Sequence, residues 1–344
     1  MSAASCTSLG LSTEPRVVRL KASPAPLLNN LSTNGLHYAY VSKRRVHMVP
    51  VMAASEPDGT LHTRVPYSPT GAIMASGWDR ADGRALLRLA STDAVTLLDA
   101  TGTQTVVKHA LDADDVSLFF SAAAVVPSWK GSAGAVLLAG MSTGAIRVVD
   151  ILSGQPLAQL DASDSEGDGD ADPTGLAHDS CITALVAIAP DDANATTAPG
   201  ATLFVSADDS GSVIVWDAAS GAPVRSIHSG DGIPVTAVVA HGSTVVAAFA
   251  NGVLRFFSLS DPELITEVHA HARVPTGLAL MGSRPIVVSA SHDSCVYAFD
   301  FTDLTNVTQV FAATVDGALL QGVAATSSSI AVVSYDSHKL RIFK

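Results

Sequence analysis

An apolar strand, a small polar turn and a second apolar strand closing on an aromatic or aliphatic residue recur along this chain. The copies are LHYAYVSKRRVHMVP (36–50), RALLRLASTDAVTLLD (84–99), AVLLAGMSTGAIRVVD (135–150), TLFVSADDSGSVIVWD (202–217), TVVAAFANGVLRFFS (244–258), PIVVSASHDSCVYAFD (285–300) and SIAVVSYDSHKLRIFK (329–344). Aligned on the closing residue, they end at 50, 99, 150, 217, 258, 300 and 344, in steps of 49, 51, 67, 41, 42 and 44. Propeller blades have a period of about 40–45 residues. A unit of four short strands cannot bury both its faces alone, so successive units must stack, and a ring of seven leaves no open end. The spacing predicts an all-β, seven-bladed β-propeller formed as one domain over residues 1–344.

The turns sharpen this register. The pairs Thr143-Gly144, Ser210-Gly211, Asn251-Gly252 and Asp293-Ser294 occupy one position in their copies. They are turn-prone residues that suit two-residue hairpins between adjacent strands. Each copy is flanked by further strand-like runs, such as CITALVAIA (181–189) and PVRSIHS (223–229). The last copy ends the chain with no fourth strand. PRVVRLKAS (15–23) precedes the first blade and alternates suitably, so it is expected to be the outer strand of blade seven and to close the ring. Residues 1–14 are expected to be a flexible N-terminus. The long step of 67 marks an acidic loop insertion, DASDSEGDGDADPTG (161–175), and a second insertion, PDDANATTAPG (190–200), inside blade four.

Composition narrows the function. Hydrophobic residues make up 47% of the chain and charged residues 15%, enough apolar surface for a large core. The formal charge is -12, and the densest basic stretch is only Lys43, Arg44 and Arg45, so a polyanion would be repelled and no nucleic-acid partner is expected. Cys6, Cys181 and Cys295 form no CxxC pair, which argues against a disulfide framework and a cysteine zinc site. No signal peptide and no run approaching the roughly 18 apolar residues of a membrane span is visible, so membrane insertion is not expected. The expected home is cytoplasmic.

Ala177-His178, Ile182, Ser206 and Trp216-Asp217 in blade four, and Ala270-His271, Asp293 and Phe299-Asp300 in blade six, resemble the Gly-His to Trp-Asp pattern of WD-repeat propellers. In that family a His of the inter-blade loop, an Asp of the hairpin turn, a Ser of the second strand and a Trp of the third form a hydrogen-bonded network. The resemblance implies that His178, Ser206, Trp216, Asp217, His271 and Asp293 are structural blade residues. Blade four departs from the pattern: the position six before Trp216 is Ser210, with Asp209 one place early. In blade six Phe299 removes the indole donor.

Other chemistry is weighed against plainer explanations. His269 and His271 share one strand face, as metal ligands would, but the blade motif already accounts for His271. Asp164, Glu166, Asp168, Gly169 and Asp170 resemble the start of a calcium loop, yet the position that needs a bidentate Glu is Gly175, so a solvated acidic loop is favoured. Ser163 and Ser165, each followed three residues later by an acid, are candidate phosphate acceptors. No phosphate loop, G-x-S-x-G elbow or HExxH is present, and the inner strands ITALVAIA and VTAVVA place Ala, Val and Thr toward the channel. No cofactor or metal is expected. The reading is a non-catalytic scaffold for other proteins in a cytoplasmic or ciliary assembly. Its partner surface is placed on the hairpin face at Asp179, Asp209, Arg273, His292 and Asp336. A reader of a peptide or modified tail at the channel mouth, and an enzyme with a site in the channel, are the alternatives.

Overall fold

The computed structural model describes residues 9–51, 63–111, 118–131, 134–161, 176–188, 202–259 and 264–344. Among these residues every regular element is a β-strand, and the strands form seven antiparallel sheets of four. Each repeat copy supplies the second and third strands of one sheet. In blade four the strands run Ile182–Ile188, Leu203–Asp208, Ser212–Asp217 and Ala222–Ser229 from the channel outward, with Phe204 opposite Trp216 and Ser206 opposite Ile214.

Both faces of a blade are covered by its neighbours, so the middle strands are continuous apolar runs rather than alternating ones. Val136–Met141, Leu203–Asp208, Thr244–Phe249 and Ile286–Ser291 are buried along their whole lengths. One apolar cluster fills each of the seven blade junctions. The junction of blades three and four holds Leu138, Val148, Ile182, Phe204 and Trp216. Outer strands meet water on one side and alternate, as in Leu264–His269.

The ring closes through the N-terminus. Arg16–Arg19 pairs antiparallel with Lys339–Phe343, Arg16 opposite Ile342 and Arg19 opposite Lys339. Val18 turns inward between exposed neighbours and joins the cluster of blades seven and one. Both chain ends are thus built into one sheet.

Two expectations are corrected. The four hairpin pairs do turn the chain, with φ of 91°, 97°, 94° and 70° at Gly144, Gly211, Gly252 and Ser294. The loops, however, are three residues long, because the N–H groups of these residues return to the carbonyls of Met141, Asp208, Phe249 and Ser291. A type I turn followed by one left-handed residue produces this geometry. Gly144 and Gly252 are constrained further: a Cβ there would strike the carbonyl of His178 or His271 in the loop entering the next blade. The second correction concerns the N-terminus. Within 9–14, Leu11 is buried against blades six and seven and the Ser12 N–H bonds the Lys344 carbonyl at 2.9 Å, so this stretch is held. Residues 1–8, most of the acidic insertion (162–175) and the second insertion (190–200) lie outside the described residues.

Candidate functional site on the hairpin face

In blade four the inter-blade loop presents His178 to the second strand. Trp216 Nε1 donates to Ser206 Oγ at 2.7 Å, Ser206 Oγ lies 2.6 Å from His178 Nε2, and His178 Nδ1 lies 2.6 Å from Asp208 Oδ2. The order of donors places the imidazole proton on Nδ1. The acid is Asp208, two residues before Ser210, the position the family pattern implies for it. Its other oxygen accepts from the backbone N–H of Ser210 and Ser212 and from Ser210 Oγ, so one carboxylate holds both the histidine and the hairpin. Burial alone would raise the Asp208 pKa, but these hydrogen bonds, led by those from His178 and Ser210, hold it below the usual carboxylate range. Asp217 at the strand end caps the next turn through the N–H groups of Ala219 and Ser220.

Blade six repeats the arrangement with different parts. His271 Nδ1 lies 3.0 Å from Asp293 Oδ2 and its Nε2 lies 2.9 Å from Ser289 Oγ. Phe299 gives no indole donor, and the Tyr297 ring packs instead on His271 at 5.0 Å. Burial pushes the His271 pKa down. Asp293 feels burial as well, yet the N–H of Cys295, His271 and the N–H of Ala272 bring it below its ordinary range.

The residues proposed for partner contact fall on the rim built by these loops. Asp179, Asp209, Arg273 and Asp336 are exposed, and His292 is half-buried. Asp179 follows the buried His178 directly. The backbone N–H of Asp209 bonds the Cys181 carbonyl, and the carbonyl of Arg273 accepts from Ser291 Oγ, leaving both side chains to solvent. His292 is more tied down, since its N–H bonds Val274 and its Nε2 lies 3.0 Å from Gln321 Nε2. Asp336 stands in the hairpin of blade seven at φ 51°. His269 Nε2 lies 3.2 Å from Glu267 Oε1, and no group of three metal-ligating side chains occurs among the described residues.

The channel holds a cavity of about 1120 Å³. Small residues line it on blades three to five, through Ala122, Ala184, Val186 and Val238, but blade two breaks the expectation with Trp78, Asp79 and Arg80. Asp79 pairs with Arg88 at 2.9 Å. Burial raises the Asp79 pKa, offset in part by Arg88 and by the backbone N–H of Val125 in blade three.

At the hairpin end of the channel, Asn29 and Asn30 cross its mouth. Asn29 donates its N–H to the Thr276 carbonyl of blade six and its Nδ2 to the Thr236 carbonyl of blade five. Asn30 donates its N–H to the Gln321 carbonyl of blade seven, while its side-chain amide pairs with both the N–H and C=O of Val41 in blade one. That amide stands in for a strand residue and frees the backbone to reach across. Blades six and seven carry Gly277 and Gly322 where blades two to five have Ala75, Ala122, Ala184 and Ala237. A Cβ at Gly322 would come within 2.5 Å of the Leu31 nitrogen. These glycines were the available signal for the crossing.

Comparison with known proteins agrees with this architecture. The family model WDR54 matches residues 14–344. Mouse WD repeat-containing protein 54 is 27% identical over 297 residues, covering 82% of this chain and 81% of that protein. Its human namesake is 25% identical over 291 residues, with the same coverage of 82% and 81%. A chain in the crystal structure of the Mitotic Checkpoint Complex superposes with a TM-score of 0.69 at 15% identity, covering 99% of this chain and 97% of that one. This last likeness is one of fold.

Proposed function

This chain belongs to the WDR54 family, and on that basis we propose that it is a non-catalytic, cytoplasmic scaffold whose hairpin face receives partner proteins. The observation that carries the reading is how its hydroxyl, imidazole and carboxylate groups are used. Ser206, His178 and Asp208 have the order of a nucleophile, base and acid. Yet the His178 and Asp208 side chains are 0% and 1% exposed, and the Trp216 indole occupies the serine oxygen. A nucleophile needs access to its substrate. The same groups instead tie down the loops that display Asp179 and Asp209, and His271 with Asp293 does the same for the loop of Arg273. Rigid display of polar side chains suits specific protein contacts. Cys181 and Cys295 are free thiols, in keeping with a reducing compartment.

Charge reversal at Arg273 together with Asp336 tests the reading. Loss of a native partner in co-purification is expected, with a melting temperature within about 3 °C of the parent, as for surface changes of up to roughly 0.5 kcal/mol each. Retention of every partner would show that the face is wrongly assigned.

A further inference from the structure

The hairpin face is not uniform around the ring. Blade three has Ala139, Met141 and Thr143 at the positions that are Ser206, Asp208 and Ser210 in blade four. Without a carboxylate or serine there, the corner between its hairpin and the loop entering blade four is apolar. It holds a cavity of about 440 Å³, floored by Leu118, Met141 and Ala145, with Thr143, Asp161 and Asp179 around it. Thr143 and Asp179 are exposed, while Met141 is 2% exposed.

The charge bordering this groove is net negative, with Asp161 and Asp179 against Arg147. Arg147 keeps its charge, with its guanidinium held by Gln159 Oε1 at 3.2 Å and His109 Nε2 at 3.4 Å. The chain as a whole carries a formal charge of -12. An apolar floor under an acidic rim selects against acidic segments and nucleic acid, and favours a chain that brings its own positive charge.

We propose that this groove binds an extended segment of a partner protein in which a Lys or Arg stands beside an apolar residue. The apolar side chain covers Met141 and Ala145, and the cation lies against Asp179 and Asp161. The inference rests on the hairpin-face reading and names the partner chemistry for one sector of that face.

The test is selection of random phage-displayed peptides on the full-length protein, followed by anisotropy titration of a fluorescein-labelled peptide from the enriched pool. Enriched sequences are expected to pair Lys or Arg with a neighbouring Leu, Ile, Val, Met or Phe. Asp179→Lys and Thr143→Arg, both at exposed positions, should each weaken binding about tenfold or more, and rising salt should weaken it as well. Unchanged melting temperatures establish that both variants fold. Enrichment of peptides without a basic residue, an empty selection, or enriched peptides indifferent to both variants would each overturn the groove assignment. The scaffold reading fails separately, through retention of all partners after reversal at Arg273 and Asp336.

Discussion

Blades four and six build one device from exchanged parts. Blade four reads Ser206-Ala-Asp208-Asp-Ser210, and blade six reads Ser289-Ala-Ser291-His-Asp293, so the acid and the second serine have traded places across the hairpin. Both acids reach the Nδ1 of the inter-blade histidine, Asp208 from the end of the second strand and Asp293 from within the turn. Both also accept from turn N–H groups, those of Ser210 and Ser212 in one blade and of Cys295 in the other. What matters is that a carboxylate lies between the histidine and the turn, and a three-residue loop offers two places from which it can do so. The exchange has a cost in exposure: the Asp208 side chain is 1% exposed and that of Asp293 is 11%.

That difference ranks the expected mutational effects. Asp208→Ala leaves His178 and two hairpin N–H groups without their partner in a dry site, and should cost about 3–5 kcal/mol, the sum of several hydrogen bonds to a buried carboxylate. Asp293→Ala opens a site closer to water and should cost about 1–2 kcal/mol. Thermal melts compare the two directly, and equal losses would contradict the ranking. Trp216→Phe removes the donor to Ser206 while keeping a ring stacked on Phe204, from which the indole is 5.8 Å away at 3°, and about 1 kcal/mol is expected to be lost. A cost near that of Asp208→Ala would mean that the indole, rather than the acid, anchors the network.

The seven copies, their closing positions and the N-terminal strand were legible because strand, turn and period repeat in the sequence, and stacking leaves few other solutions. Asp150, Asp217 and Asp300 end third strands and Asp99 directly follows one, and each caps a turn in the structure. Asp208 was not legible. A rule counting back from Trp216 leads to Ser210, and the choice of acid depends on how the loop folds back on His178. The channel mouth was hidden for a different reason. Asn29 and Asn30 bond to residues more than 200 positions away, and only the substitution of Gly277 and Gly322 for alanine marks where they pass. Trp78 and Asp79 depart from the small residues that line the inner strands of blades four and five, and no repeated pattern marks the departure.

Acidification should lower stability further, by a smaller effect. His271 has a folded pKa depressed by burial, so below its ordinary value of about 6.5 the unfolded chain binds more protons and stability falls with pH. Asp208 and Asp293, also depressed, give stability that is full above the ordinary carboxylate range and is lost as pH falls through their folded values. Melting temperature should therefore decline from pH 7 to 5, and His271→Gln should flatten part of that decline. A melting temperature that rises over this interval would contradict the assigned shifts.

The claim that position is exchangeable, provided the carboxylate stays between histidine and turn, is tested most directly by moving the acid. Asp208→Ser alone should lose about 3 kcal/mol or more. Adding Ser210→Asp restores in blade four the order found in blade six, and the double variant should return to within about 1 kcal/mol of the parent, a coupling that a double-mutant cycle reads as a single number. A double variant no more stable than Asp208→Ser alone would show that Asp208 is required where it stands, and that the two blades are different structures rather than one device built in two ways.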